Sequence, residues 1–382
     1  MDFTKKILIT GGAGFIGSHL VQRLYSEGHS TVVLDNLSPQ IHGKVGKSAT
    51  FSAIEGKCEF IKGDVQNRDD WHRALQGVEQ VIHLAAETGT GQSMYECERY
   101  TSANCGATAI LADLLSGSEH SVNSVIVASS RAVYGEGKYE CAEHGIVYPH
   151  GRVTTAMNMG QFECTCPFCS KPAKALPTDE LSTISPLSVY GLTKYFQENI
   201  MKTVCASLNI TYTALRFQNV YGPGQSLVNP YTGILSIFSN RLKENKDVFI
   251  FEDGNESRDF VFITDVVESL YLSTQLKDCK SRVLNVGTGV MTTVMEVAQT
   301  LKQTIGSSST ISVTGQFRKG DIRHNYADLT FSKQELGFIP KVMFAEGVEA
   351  FINWAKNNEG TAEGYEKSLL ELEAKGILGK KC

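Results

Sequence analysis

A tyrosine and a lysine four residues apart can share one helical face and do proton chemistry there. The stretch "SVYGLTKYFQEN", residues 188–199, holds Tyr190 and Lys194 at that spacing. A phenol is a poor base at neutral pH, with a reference pKa near 10, and a neighbouring ammonium would stabilise its phenolate. A second pair, Tyr134 and Lys138 in "YGEGK", has the same separation, but two glycines interrupt it and make a helix unfavourable. Tyr190 instead follows Ser185–Pro186, a predicted helix start, so Tyr190 and Lys194 are the expected functional pair.

A second chemical signal lies at the start of the chain. The strand-like "ILIT", Ile7–Thr10, runs into "GGAGFIG" and then a helical pattern. Gly11, Gly14 and Gly17, with Phe15 and Ile16 between them, fit a turn whose backbone amides approach a pyrophosphate at a helix N-terminus. A second strand, "TVVLD", ends at Asp35 beside Asn36, roughly 20 residues on, where a carboxylate accepts bonds from an adenosine ribose. That carboxylate repels a 2′-phosphate, so the expected cofactor is NAD rather than NADP. The nicotinamide's positive charge would then add to the pull on Tyr190.

The elements that position these groups alternate as strand and helix, which predicts a doubly wound parallel α/β sheet of Rossmann type. Ligands in such sheets sit at the carboxyl ends of strands. Asp64 and Val65, Ala85 and Ala86, and Ser129 and Ser130 occupy such ends. Asp64 and Val65 suit an adenine edge, and the small Ala85 and Ala86 let the cofactor lie close to the backbone.

Between Tyr134 and Tyr190 lie "CAEH" and "CPFC", giving Cys141, His144, Cys166 and Cys169, with Cys164 as a spare thiol. Two short knuckles separated by a loop are what a tetrahedral zinc gathers, and a metal can stabilise a loop with little core. Competing readings are free thiols in a solvated loop, a redox dithiol, and a nucleic-acid knuckle. The dithiol lacks the flanking strand and helix that would tune it. Lys and Glu are balanced through the segment, which argues against nucleic acid.

Taken together, "GGAGFIG", Asp35, "HLAA", "SSRAVYG", "YGLTK" and "RFQNVYGPGQ" resemble the extended short-chain dehydrogenase/reductase family. More narrowly the chain is similar to NAD-dependent nucleotide-sugar epimerases such as UDP-glucose 4-epimerase, over nearly its whole length except about 137–183. The resemblance implies that Ser130 works beside Tyr190, that Lys194 bonds the nicotinamide ribose, and that Ser129 and Asn104 lie near the cofactor. For the substrate it implies Thr88, Ser130, Arg131, Asn219, Arg258 and Arg318, with Arg323 close enough to compete for the last role. Guanidinium forks suit phosphate oxygens. Related dehydratases and decarboxylases place an acid at the positions of Arg131 and Ala132, and 3,5-epimerases place a Cys where Val133 stands. This leaves C4 epimerisation through a 4-keto sugar as the expectation. A dehydratase or dehydrogenase of the same family, or a non-catalytic nucleotide-sugar sensor, is the alternative. The insert also resembles one found in a bacterial branch associated with dTDP-6-deoxyhexose 4-epimerisation, which widens the expected substrate from UDP- to dTDP-hexoses.

Composition agrees. The chain has 382 residues, 42% hydrophobic and 20% charged, with a net charge of −5. The mild acidity argues against broad nucleic-acid or membrane-surface binding. No apolar run reaches the ~20 residues of a membrane span, and no signal peptide is evident. Ten scattered cysteines suit a reducing, cytoplasmic setting. The expected organisation is a cofactor domain over 1–221 with 261–289 returning to it. The Cys/His insert spans 137–183, leaving a substrate cap over 222–260 and 290–382. The stems of the insert should reach the active-site rim, making it a lid or a dimer contact. The resemblance implies a homodimer.

Overall fold

Strands buried on both faces read as continuous aliphatic runs, and the central strands of this chain do so. The computed structural model describes residues 5–380 except 44, 45, 47, 118, 230, 232, 359, 361 and 362. Seven strands form one parallel sheet: β1 (Lys6–Thr10), β2 (Ser30–Asp35), β3 (Glu59–Lys62), β4 (Gln80–His83), β5 (Ser124–Ser130), β6 (Thr211–Phe217) and β7 (Ser281–Val286). Their order is β7-β6-β5-β4-β1-β2-β3, so the winding reverses between β1 and β4. That reversal opens a crevice at the carboxyl ends of the strands.

Alternate side chains separate two cores. Ile7 and Ile9 join Val33, Ile82 and Ile126 on one face. Leu8 joins Val32, Val81 and Val125 on the other, against Trp71 and Met201. Apolar residues of the helices Ile234–Lys243, Val294–Ile305 and Phe344–Ala355 belong to the first core. These helices therefore share their hydrophobic support with the sheet. The helix Ile263–Thr274 packs beside the first helix, α1 (Phe15–Ser26).

The helix carrying Tyr190 and Lys194, α2, spans Val189–Ser207. It begins later than the Ser185–Pro186 signal predicts, because the Ser188 side chain accepts the Gly191 N–H at 3.1 Å and caps it. The competing pair is structural. Gly135 and Gly137 have φ of 65° and 86°, the Tyr134 hydroxyl donates to Asn285 Oδ1 at 2.8 Å, and Lys138 pairs with Asp179 at 2.6 Å.

The insert folds as three short antiparallel strands, Tyr139–Cys141 between Gly145–Val147 and Lys174–Ala175. Its own apolar cluster is small, built on Tyr139, Val147, Ala173 and the cysteines. Among the described residues no helix is long and apolar enough to cross a membrane.

Candidate active site

The glycine turn joins β1 to α1 under tight packing. Gly11 has φ +68°, and a Cβ there would stand 2.8 Å from Ala85 N; one on Gly17 would fall 2.4 Å from Gly11 O. Gly14 caps α1 without a side chain, so the first-turn N–H groups need an outside acceptor, and a pyrophosphate is one. Gly11, Gly14, Phe15, Ile16 and Gly17 all line a cavity of about 640 Å³.

Asp35, Asn36, Asp64 and Val65 line the same cavity. Asp35 is buried, and its carboxylate accepts Ala13 N–H at 3.0 Å and Leu37 N–H at 2.8 Å. Burial pushes this carboxyl up, against the pull of those N–H groups and of His42, whose Nε2 lies 3.7 Å away. Asn36 Nδ2 donates to Asp64 Oδ2 at 3.1 Å, joining the ends of two strands.

Further along, Ala85, Ala86, Thr88, Ser129, Ser130, Arg131, Tyr190, Lys194 and Asn219 complete the walls. The Tyr190 N–H donates to Ser93 Oγ at 3.0 Å, which fixes the first turn of α2. Burial raises the Tyr190 phenol, while a hydrogen bond with Ser130 and the charge of Arg131 pull it back. Lys194 is buried, its Nζ donating to Ala128 O at 2.7 Å and Gln197 Oε1 at 3.0 Å. Desolvation lowers its ammonium to about 8 against the opposing charge of Glu198. Arg131 thus adds charge support to the phenol, while Lys194 Nζ is tied to the strand through Ala128 O. The Ser129 hydroxyl bonds Glu198, which also clamps Arg216 at 2.7 Å.

Three predicted residues stand apart from the cavity lining. Asn104 is fully buried behind it, bonded to Glu87 N at 2.8 Å, Glu87 O at 3.1 Å and Thr193 Oγ1 at 2.9 Å. It ties the loop after β4 to α2. Arg258 places its Nη1 on Ser257 O and Arg323 O and its Nη2 on Asp321 Oδ1 and Ile322 O, at 2.8 to 3.0 Å. Arg318 is exposed, 3.6 Å from Asp321 and over the Phe251 ring. Burial opposes ionisation of Asp321, yet Arg258, Arg318, Arg131 and Arg152 together hold its carboxyl well below the usual range. Arg131 reaches this group from the cavity side, with its Nε on Asn219 Oδ1 at 3.1 Å. Arg323, the competing candidate, is completely buried among carboxylates.

The four ligand atoms of Cys141, His144, Cys166 and Cys169 lie within 4.8 Å of one another. Cys141 Sγ is 3.6 Å from His144 Nδ1 and 3.7 Å from Cys169 Sγ, and Cys166 Sγ is 3.7 Å from His144 Nδ1. A tetrahedron with bonds of about 2.3 Å to sulfur and 2.0 Å to nitrogen has edges of about 3.5–3.8 Å. The Phe168 N–H donates to Cys166 Sγ at 3.4 Å. Cys164 is buried elsewhere, where desolvation and the nearby Glu136 push its thiol well up.

The sequence profile of the NAD dependent epimerase/dehydratase family matches residues 7–151 and 161–287. The chain belongs to this family. Among its relatives, dTDP-L-rhamnose 4-epimerase of Burkholderia thailandensis is 37% identical over 352 residues, covering 92% of this chain and 94% of that protein. A putative UDP-glucose 4-epimerase of Methanocaldococcus jannaschii is 31% identical over 93% of this chain and 100% of its own length. The Thermotoga maritima UDP-glucose 4-epimerase structure, solved with UDP-glucose, superposes with TM-score 0.74 at 29% identity, covering 92% of this chain and 99% of that one. UDP-glucuronic acid 4-epimerase of Bacillus cereus, in complex with UDP-glucuronic acid and NAD, gives TM-score 0.76 at 25% identity, covering 92% and 99%.

Within this member of the epimerase/dehydratase family, several cavity residues were not evident from sequence. His42, Gln40 and Thr50 lie on the cofactor side, and Gln218, Gln225, Tyr231 and Trp354 on the cap side. Their only available signals were closeness in sequence to Asp35 or to Asn219. Trp354, on a cap helix, carries no such signal.

Proposed function

We propose that the chain epimerises C4 of a nucleotide-diphosphate hexose through a transient 4-keto sugar, with a dTDP-linked 6-deoxyhexose as the first substrate to test. The observation that carries this reading is the arrangement of Ser130, Tyr190 and Lys194 on the wall of the cavity that also holds the glycine turn and Asp35. The similarity to a dTDP-L-rhamnose 4-epimerase and to UDP-sugar 4-epimerases supports it.

The glycine turn would hold the pyrophosphate of NAD, Asp35 and Asn36 its adenosine ribose, Asp64 and Val65 its adenine, and Lys194 its nicotinamide ribose. When bound, NAD supplies the acceptor that takes hydride from C4 and returns it. Tyr190 removes the C4 hydroxyl proton with Ser130 sharing the hydrogen bond. The hexose then turns about its diphosphate anchor to present the opposite face of C4 for hydride return, and the Tyr190 phenol gives the proton back to the C4 oxygen. Thr88, Arg131 and Asn219 border the sugar and diphosphate, with Arg258 and Arg318 around Asp321 behind them. Arg131 stands where an elimination catalyst would need an acid, which favours epimerisation over dehydration.

Residues 1–221 with 261–289 form the cofactor domain in this reading, and 222–260 with 290–382 form the cap. The 137–183 insert carries a structural zinc on Cys141, His144, Cys166 and Cys169. Leu192, Tyr195 and Phe196 are 54%, 36% and 41% exposed on one face of α2, a stripe that a second copy of the chain would cover in a homodimer. A panel of UDP-, dTDP- and GDP-hexoses, assayed without added NAD and resolved at C4, tests the activity. Stoichiometric NADH with an oxidised sugar product would replace it with a dehydrogenase. Metal per chain by elemental analysis tests the zinc, and light scattering tests the dimer.

A further inference from the structure

The insert was expected to cover the active site or contact a second copy, but among the described residues none from 137 to 183 lines the cavity. What it does touch is the segment 321–324. Glu163 lies between the two knuckles, three residues before Cys166. Its carboxylate accepts from Arg323 Nε at 2.9 Å and lies 3.1 Å from His324 Nε2. Tyr139, on the strand that ends at Cys141, is fully buried with its hydroxyl 3.5 Å from His324 O. Just before the insert, Glu136 accepts the Arg323 N–H at 2.7 Å.

From the cap side the same arginine is bonded to Glu252 at 2.8 Å and Asp253 at 2.7 Å. A completely buried guanidinium that loses one acceptor must find another, and the chain carrying it shifts. That chain also supplies Asp321 and the carbonyls of Ile322 and Arg323, which receive Arg258. Strand 257–258 pairs with 324–325 in register. Arg258, Asp321 and Glu136 are in turn charges within electrostatic reach of Arg131, which lines the cavity.

We propose that the metal-bound insert is a positioning element for the sugar-end wall. By holding Glu163 against Arg323, it fixes segment 321–324 and with it the Arg258–Asp321 pair behind Arg131. This rests on reading the knuckles as a metal site and the chain as a 4-epimerase. The physical reason is that the apolar cluster at the knuckles has only six buried members, three of them cysteines, too few to keep a charged contact in place without the metal.

The test uses the full chain with Glu163→Gln, which keeps all four metal ligands. Metal per chain, retained NAD, kcat and KM for the preferred nucleotide sugar are measured against the parent. The expected result is unchanged metal and NAD, with KM raised about ten- to a hundredfold, the cost of an ångström-scale misplacement, and kcat changed far less. Chelating the metal from the folded parent chain should produce the same KM rise, and zinc re-addition should reverse it. Unchanged KM in Glu163→Gln with metal and NAD intact overturns the positioning role and leaves the zinc and epimerase readings standing. A parent chain that is active yet metal-free overturns the zinc reading and this proposal together.

Discussion

Tyr190 is held between opposing influences. Burial raises its phenol, while Ser130 and Arg131 lower it. Removing the hydroxyl as Tyr190→Phe should reduce kcat by about 10²–10⁴, the usual contribution of a positioned proton-transfer group, with NAD content unchanged by absorbance of the released cofactor. Arg131→Gln should move the acid limb of the kcat profile to higher pH. In the proposed mechanism the phenolate is the active form, and losing a nearby cation raises the pH at which it forms. Arg131 itself is lowered to about 10 by burial and by Arg258, so it stays cationic through the working range. Arg131→Lys should restore most of the shift, and a profile unmoved by Arg131→Gln would assign the phenolate's support to another group. Tyr190 and Lys194 were legible in the sequence as a candidate pair because their spacing is local, whereas Ser130 came only from the family resemblance. The committed partners of Lys194 were not, since Ala128 and Gln197 meet it only across β5 and within α2.

At the scale of elements, the β1–α1 turn has no room for a methyl group. Gly17→Ala would drive a Cβ to within 2.4 Å of Gly11 O and 2.5 Å of Gly12 Cα. The turn would open, and purified protein should retain far less NAD while α2 and its catalytic pair keep their place. Full NAD occupancy in this variant, read by cofactor release on denaturation, would show that the turn does not carry the pyrophosphate. The turn was readable because strand, glycines and helix follow one another along the chain. The start of α2 was misplaced by three residues, since Ser185–Pro186 and Ser188 both resemble caps and it is the Ser188 side chain that accepts the Gly191 N–H. The two knuckles showed their ligand types in the sequence. That their four side chains meet depends on the antiparallel pairing of three short strands, which no local pattern fixes.

For the whole molecule, the buried acids around Arg323 set a pH dependence of stability. Burial, reinforced by Glu252, raises the Glu256 carboxyl from 4.5 to about 8. The folded chain keeps this proton up to about pH 8 while the unfolded chain releases it near 4.5, so its contribution to stability falls as pH rises across that window. Glu256→Gln should therefore lessen the drop in Tm between about pH 5 and pH 8.5, measured by thermal melts. An undiminished drop would place the dependence elsewhere, Glu180, raised to about 7 by burial, being the next group to substitute. By itself the sequence determined the parallel α/β sheet and the glycine turn, and it picked out the Tyr190–Lys194 pair and the four knuckle residues as candidates, because periodicity, glycine spacing and short motifs act over a few neighbours. Only the tertiary structure decided that Arg258 and Asp321 stand behind Arg131, that Asn104 braces a loop, and that the insert grips Arg323. Those contacts join residues 17 to 187 positions apart, and burial, charge pairing and sheet order select them only once the chain is packed.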